Sequence, residues 1–136
     1  MKSWLVKTEP ETYAFEDLVQ KGEDVWDGVR NFQARNFLEK MNLGDQVFVY
    51  HSGKQREVVG LAEVSEEAFP DPTAKEDGNW VAVKLKPLEP LPTPVSLKAI
   101  KAEPSLSDIL LVKQSRLSVM PLDKKAAEKI LKMSRV

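Results

Sequence analysis

Four prolines fall within the run Pro87-Leu88-Glu89-Pro90-Leu91-Pro92-Thr93-Pro94. Each removes a backbone donor and fixes φ, so neither a helix interior nor a central strand can absorb that spacing. The run is expected as a stiff crossing over the surface, with regular structure on either side. Before it, Gln46 to His51, Glu57 to Ser65 and Trp80 to Lys86 are rich in β-branched and aromatic residues and read as strands. In the last of them Val81, Val83 and Leu85 alternate with Ala82, Lys84 and Lys86, which buries one face. Ser52 to Arg56 forms a hairpin loop between the first two, and Phe69-Pro70-Asp71-Pro72 opens a long acidic loop.

Helical signals flank this β-rich centre. Ser3 to Thr8 reads as a first strand ended by Pro10, and Phe15 to Lys21 as a short helix stopped by Gly22. Asn31 is placed to cap a helix from Phe32 to Met41, in which Ala34, Phe37, Leu38 and Met41 share one face. After the prolines a helix is expected from Ser96 to Lys101, and another from Ser105, with Ser105 and Asp108 in capping-box spacing. A strand follows at Leu117 to Val119, then a helix from Asp123 to Met133 turning Ala126, Ala127, Ile130, Leu131 and Met133 inward. The pattern is α+β and consistent with a mixed β-barrel surrounded by short helices, in a single domain over residues 1–136. With 42% hydrophobic residues in 136, such a chain can build its own core.

Composition removes several function classes. There is no cysteine and one histidine, His51, so no metal site and no cofactor is expected. No apolar run approaches the roughly 20 residues that span a bilayer, and the chain is expected to be soluble and cytoplasmic, or nuclear in a eukaryote, with no membrane partner. A net charge of -1 does not suit a protein that grips long stretches of nucleic-acid backbone. Distribution matters more than the total. Glu63, Glu66, Glu67, Asp71, Glu76 and Asp77 face only Lys75 in their stretch, whereas Lys7, Arg30, Arg35, Lys113 and Arg116 mark a basic face expected opposite that acidic loop. Such a face suits one nucleotide and a few phosphates, bound by a monomer.

The segment Trp26-Asp27-Gly28-Val29-Arg30-Asn31-Phe32-Gln33-Ala34-Arg35-Asn36-Phe37 holds two arginines, three amides and three aromatics. Core packing accounts for Phe37 and Leu38, but it does not ask for Arg30, Asn31, Arg35 and Asn36. Guanidinium and amide donors beside flat rings suit a planar, hydrogen-bonding, anionic ligand such as a nucleotide.

That segment, with Trp4 to Pro10, Met41 to Asp45, Tyr50-His51-Ser52, Phe69 to Thr73 and Arg116 to Pro121, makes six ordered blocks that resemble the EVE-domain family. Thr8 stands where the family usually has serine, and Phe32 where tyrosine is common. The resemblance implies a PUA-like barrel, related to the YTH and ASCH domains, whose members bind nucleic acid and in several cases hold a modified base in an aromatic-walled pocket.

On this basis Trp26 is expected to wall the pocket. Lys7 and Thr8, at the exit of the first strand, would meet the edge of the same base. The capped helix start at Asn31, with Arg30 and Arg35, forms an anion site, while Asp27 either accepts from an exocyclic amine or pairs with Arg30. Tyr50 and Ser52 share one face of their strand and His51 takes the other, so a His51–Ser52 catalytic pair is not expected. Arg116 and Ser118, near the first strand in such barrels, join the lining. Two functions follow: a non-catalytic module that recognises a modified base, such as a methylated or hydroxymethylated cytosine in DNA or RNA, or an enzyme acting on nucleic acid or a free nucleotide, as in ASCH-like nucleases. The absence of a credible nucleophile–base pair favours the first.

Overall fold

The structure, a computed structural model, describes residues 1–135. Six strands, β1 (Ser3–Thr8), β2 (Asp24–Trp26), β3 (Gln46–His51), β4 (Glu57–Pro70), β5 (Val81–Ser96) and β6 (Val119–Leu122), make one mixed sheet in the order β2-β5-β4-β3-β1-β6. Only β1 and β3 pair in parallel; the other neighbours are antiparallel. Five short α-helices surround the sheet: α1 (Phe15–Lys21), α2 (Phe32–Glu39), α3 (Leu97–Ala102), α4 (Leu110–Lys113) and α5 (Lys124–Ser134). Helix α2 packs on β6 at one edge of the sheet and on β5 near the other. A single helix of eight residues, about 12 Å long, reaches both because the sheet curls. The result is the expected PUA-like barrel, left open between β2 and β6.

The central strands are buried on both faces. The consecutive residues Leu5 and Val6, Val47 to Val49, and Val119 and Met120 point to alternate sides and are all fully buried, as are Val58 and Leu85, with Leu18, Leu38, Ile100 and Ile130 packed in from the helices. Asn31 caps its helix as expected, and Asp123 does the same for α5. Asn31 Oδ1 accepts from the Ala34 N–H at 2.9 Å, and Asp123 Oδ1 from the Ala126 N–H at 2.7 Å. Among the described residues, no helix is long and apolar enough to cross a membrane.

The proline run is not a free crossing. It belongs to β5, which pairs with β4 as far as Ser96. Two circumstances allow this. The partner strand β2 covers only Asp24–Trp26 against Val83 to Leu85, so β5 is an edge strand from Lys86 onward. Register shifts at Val58/Gly60 and Leu61/Ala62 absorb the irregular pairing. Pro90, Pro92 and Pro94 face solvent while Leu91 and Val95 reach the core.

Other boundaries differ for local reasons. Strand β4 runs on to Pro70, so the acidic loop begins at Asp71. Ser105 caps no α-helix; its hydroxyl donates to Glu103 Oε1, and Pro104–Leu106 forms a 3-10 turn before α4. Strand β6 starts at Val119, set by pairing of Val119 to Leu122 with β1.

Candidate functional site

The open seam of the barrel is a cleft of about 730 Å³. Its walls are built from distant parts of the chain: Lys7 and Thr8 at the end of β1, Ser118 before β6, Thr12, Tyr13 and Lys21 around α1, and Asp24 to Asn31 from β2 to the start of α2. Trp26 closes β2, where it pairs with Val83. It lines the cleft while only 7% exposed, so the same indole serves core and wall. Tyr13 packs edge-on against it, with ring centroids 6.0 Å apart.

Two polar side chains at the end of β1 are already engaged. Thr8 Oγ1 donates to the Tyr13 carbonyl at 2.6 Å, which leaves only acceptor capacity for a ligand. Lys7 Nζ donates to the Ser115 carbonyl at 2.7 Å and lies 5.7 Å from the Tyr50 ring centroid; burial lowers its pKa. The Lys7 N–H donates to the Ser118 carbonyl at 2.9 Å, tying β1 to the approach of β6.

The two cleft carboxyls are driven apart. Burial works against ionised Asp24, but the Tyr13 hydroxyl donating at 2.6 Å, the Val25 N–H at 2.8 Å and Lys21 at 3.3 Å hold its pKa below the ordinary value. Asp27 is raised by burial first, then by the charges of Asp71 and Asp24. Two acidic side chains displaced in opposite directions from the ordinary aspartate value therefore share one cleft.

The turn from Gly28 to Arg30 is held by buried Asp71. Gly28 takes φ +79°, and its N–H donates to Asp71 Oδ2 at 2.9 Å. Arg30 Nη1 donates to the same oxygen at 2.9 Å, and the N–H and hydroxyl of Thr73 donate to Oδ1 at 2.7 and 2.6 Å. Burial would raise the Asp71 pKa, yet Thr73, Arg30 and Gly28 pull it down to about 2.

This corrects two expectations. Arg30 pairs with Asp71, and at 3.0 Å with Glu76, not with Asp27. The acidic loop lies against the arginines, not opposite them, because buried Asp71 needs a cationic partner.

The structure brings Lys7, Thr8, Trp26, Asp27, Arg30, Asn31 and Ser118 together. Five expected residues lie off the cleft. Arg35, one helical turn on, donates to the Gly78 carbonyl at 2.6 Å and pairs with Glu39 at 3.4 Å. Asn36 accepts from Arg35 at 2.9 Å on the outer face of α2. Tyr50 is buried beneath Lys7, and Ser52 Oγ donates to the Thr8 carbonyl at 3.3 Å. Arg116 is exposed beyond Ser118.

His51, too, is buried: Nε2 accepts from the Phe15 N–H at 3.0 Å, which leaves Nδ1 to donate to Gln55 Oε1 at 2.8 Å. Both ring nitrogens are thus engaged, and the ring is no base for Ser52. Thr12, Tyr13, Lys21 and Asp24 complete the cleft and were not anticipated. Their only local signal is a tyrosine in the polar turn before α1.

Comparison with known proteins follows the same outline. A family model described as EVE domain matches residues 2–133. Thymocyte nuclear protein 1 of Mus musculus is 37% identical over 96% of this chain and 72% of its own length. A crystal structure of an Agrobacterium tumefaciens protein superposes with a TM-score of 0.95 at 40% identity, covering 98% of this chain and 93% of that one. The human THYN1 protein in complex with 5-methylcytosine-containing DNA superposes with a TM-score of 0.93 at 30% identity, covering 100% and 99%. An ASCH protein from Zymomonas mobilis, 13% identical with a TM-score of 0.61, shares the fold alone. In sequence and in fold, this chain belongs to the EVE-domain family.

Proposed function

We propose that this chain is a non-catalytic nucleic-acid-binding module that holds a modified base, of the methylated or hydroxymethylated cytosine class, in the seam cleft. The observation that carries this is the cleft itself: an indole wall at Trp26, with Lys7, Thr8, Asp27 and Ser118 around it. The human relative solved with 5-methylcytosine DNA, similar over the whole chain, supports it. In this proposal the base stacks on Trp26, a contact worth about 1 to 3 kcal/mol. Asp27 and the Thr8 oxygen face its polar edge, Lys7 and the exposed Arg116 meet phosphate, and Arg30 with Asn31 shapes the rim.

The 136 residues act as one unit and as a monomer, in the cytoplasm or, in a eukaryotic cell, the nucleus. Arg35, Asn36, Tyr50 and Ser52 support from behind: the first two tether the loop at Gly78, the others steady the ends of β1 and β3. Against catalysis stands the chemistry of the lining, in which no nucleophile faces a free base and the one histidine is bonded elsewhere.

The test is a binding panel of short DNA and RNA oligonucleotides bearing unmodified, methylated and hydroxymethylated cytosine, with product analysis after long incubation. Preferential binding of a modified base with the oligonucleotide recovered intact is expected. Equal binding of all members, or more cleaved or base-released product than protein, would overturn the proposal.

A further inference from the structure

One residue beyond the cleft wall stands an aromatic ring that neither the core nor the cleft uses. Asn31 lines the cleft, and Phe32, the next residue, opens α2 while remaining 59% exposed. Its ring is stacked on Trp80, with centroids 4.9 Å apart and planes 23° from parallel. The indole beneath is itself fixed. Trp80 Nε1 donates to the Asp77 carbonyl at 3.1 Å, and the guanidinium groups of Arg30 and Arg35 lie 5.6 and 5.9 Å from its ring. Arg35 also stands 5.0 Å from the Phe32 centroid. A lone exposed phenylalanine needs no explanation, but one held nearly parallel to a pinned indole is a stacking plane that loses no further freedom on binding.

We propose that Phe32 is a second stacking site, which takes the base adjacent to the one held in the cleft. It rests on the cleft being a base pocket, and extends that pocket to a dinucleotide footprint. Continuity carries the choice of occupant: a strand whose base enters beside Asn31 leaves the cleft past the next residue of the wall. The occupant is a planar base, not a phosphate. Arg35 gives its donors to Gly78 and Asn36 and faces Glu39, and Arg30 is held by Asp71 and Glu76, so little unpaired positive charge surrounds the ring. A ring face reads no donor–acceptor pattern, so this position accepts any base.

The experiment uses the full chain and compares a mononucleoside carrying the modified base with a trinucleotide carrying it centrally, and with trinucleotides in which one neighbour or the other is abasic. Wild-type protein is expected to bind the intact trinucleotide about 5- to 100-fold more tightly than the trinucleotide lacking the neighbour on one side. Phe32→Ala should abolish that difference, leave mononucleoside affinity unchanged, and keep the slope of log affinity against log salt, since no counterion-releasing contact is removed. Phe32→Tyr should restore the wild-type pattern.

The abasic series needs no variant, so it decides the matter even if Phe32→Ala unfolds. Equal affinity of wild type for the intact and both abasic trinucleotides, with preference for the modified base retained, would overturn the second site while leaving the cleft standing. Failure to bind the modified mononucleoside and every trinucleotide would remove both.

Discussion

Trp26 lines the cleft and belongs to the core at once. Its exposure of 7% means that Trp26→Ala empties a packed position as well as the cleft wall, and a loss of about 3 to 5 kcal/mol is expected in denaturant unfolding. That variant alone cannot separate the roles. Trp26→Phe keeps most of the apolar volume and shortens the stacking plane, so it should bind the modified base several-fold more weakly at a melting temperature within a few degrees of wild type. Retained affinity in Trp26→Phe would place the base elsewhere.

Asp71 offers a prediction of different kind, because its carboxyl is held at about 2 whereas an unfolded aspartate titrates near 3.9. A depressed folded value contributes stability in full above the unfolded value, and that contribution is lost as pH falls toward about 2. Unfolding midpoints followed from pH 5 to pH 2 should therefore fall, with Asp71 responsible for roughly 1 to 2 kcal/mol of the loss. Asp71→Asn should be less stable at neutral pH and show a flatter acid limb. An unchanged acid limb would mean that Arg30, Thr73 and Gly28 do not hold the charge as the geometry implies.

At the scale of elements, the long strands depend on a close approach between β4 and α1. A Cβ built on Gly60 would stand 2.5 Å from Cζ of buried Phe15, whose backbone N–H donates to His51 Nε2 and whose ring has little room to withdraw. Gly60→Ala is expected to cost about 1 to 3 kcal/mol by overpacking, and Gly60→Ala with Phe15→Leu should recover part of it in thermal melts. Additive losses in the double variant would refute this contact as the cause.

Elements were legible in the sequence where their cause is local. Asn31 caps the helix expected of it, Gly22 closes α1, and β1 and β3 run over the residues read as strands. What was not legible depends on partners far along the chain. Strand β2 is three residues that exist because β5 pairs with them, and Pro87 to Pro94 join a strand because one flank is open there. Seven of the cleft residues were expected from their chemistry and the family blocks. Tyr13, Lys21 and Asp24 were not, since the bond that joins Tyr13 to Asp24 spans the whole of α1. Arg30 and Arg35 were expected to face phosphate because sequence cannot show that the loop from Asp71 to Gly78 turns back to meet them.

For the whole molecule, that internal pairing lowers the charge available to a polyanion. With Arg30 and Arg35 satisfied by the protein, Lys7 and Arg116 are the main candidates for phosphate, and a salt slope of magnitude about 2 is expected. Affinity should stop rising after a few nucleotides, and unpaired or mismatched sites should be preferred, because extruding a paired base costs a few kcal/mol. A length series at two salt concentrations checks this; affinity still climbing beyond ten nucleotides would reveal a binding surface outside the seam.

The proline-bearing half of β5 bears on behaviour in a crowded solution. Sixteen residues of extended chain with one flank unpaired for much of their length are a template on which strands of other copies could grow. Pro87, Pro90, Pro92 and Pro94 deprive that template of donors at intervals too short for a foreign strand to bridge. The barrel can thus stay open at its seam, leaving room for a ligand, without offering its longest strand as a seed for aggregation.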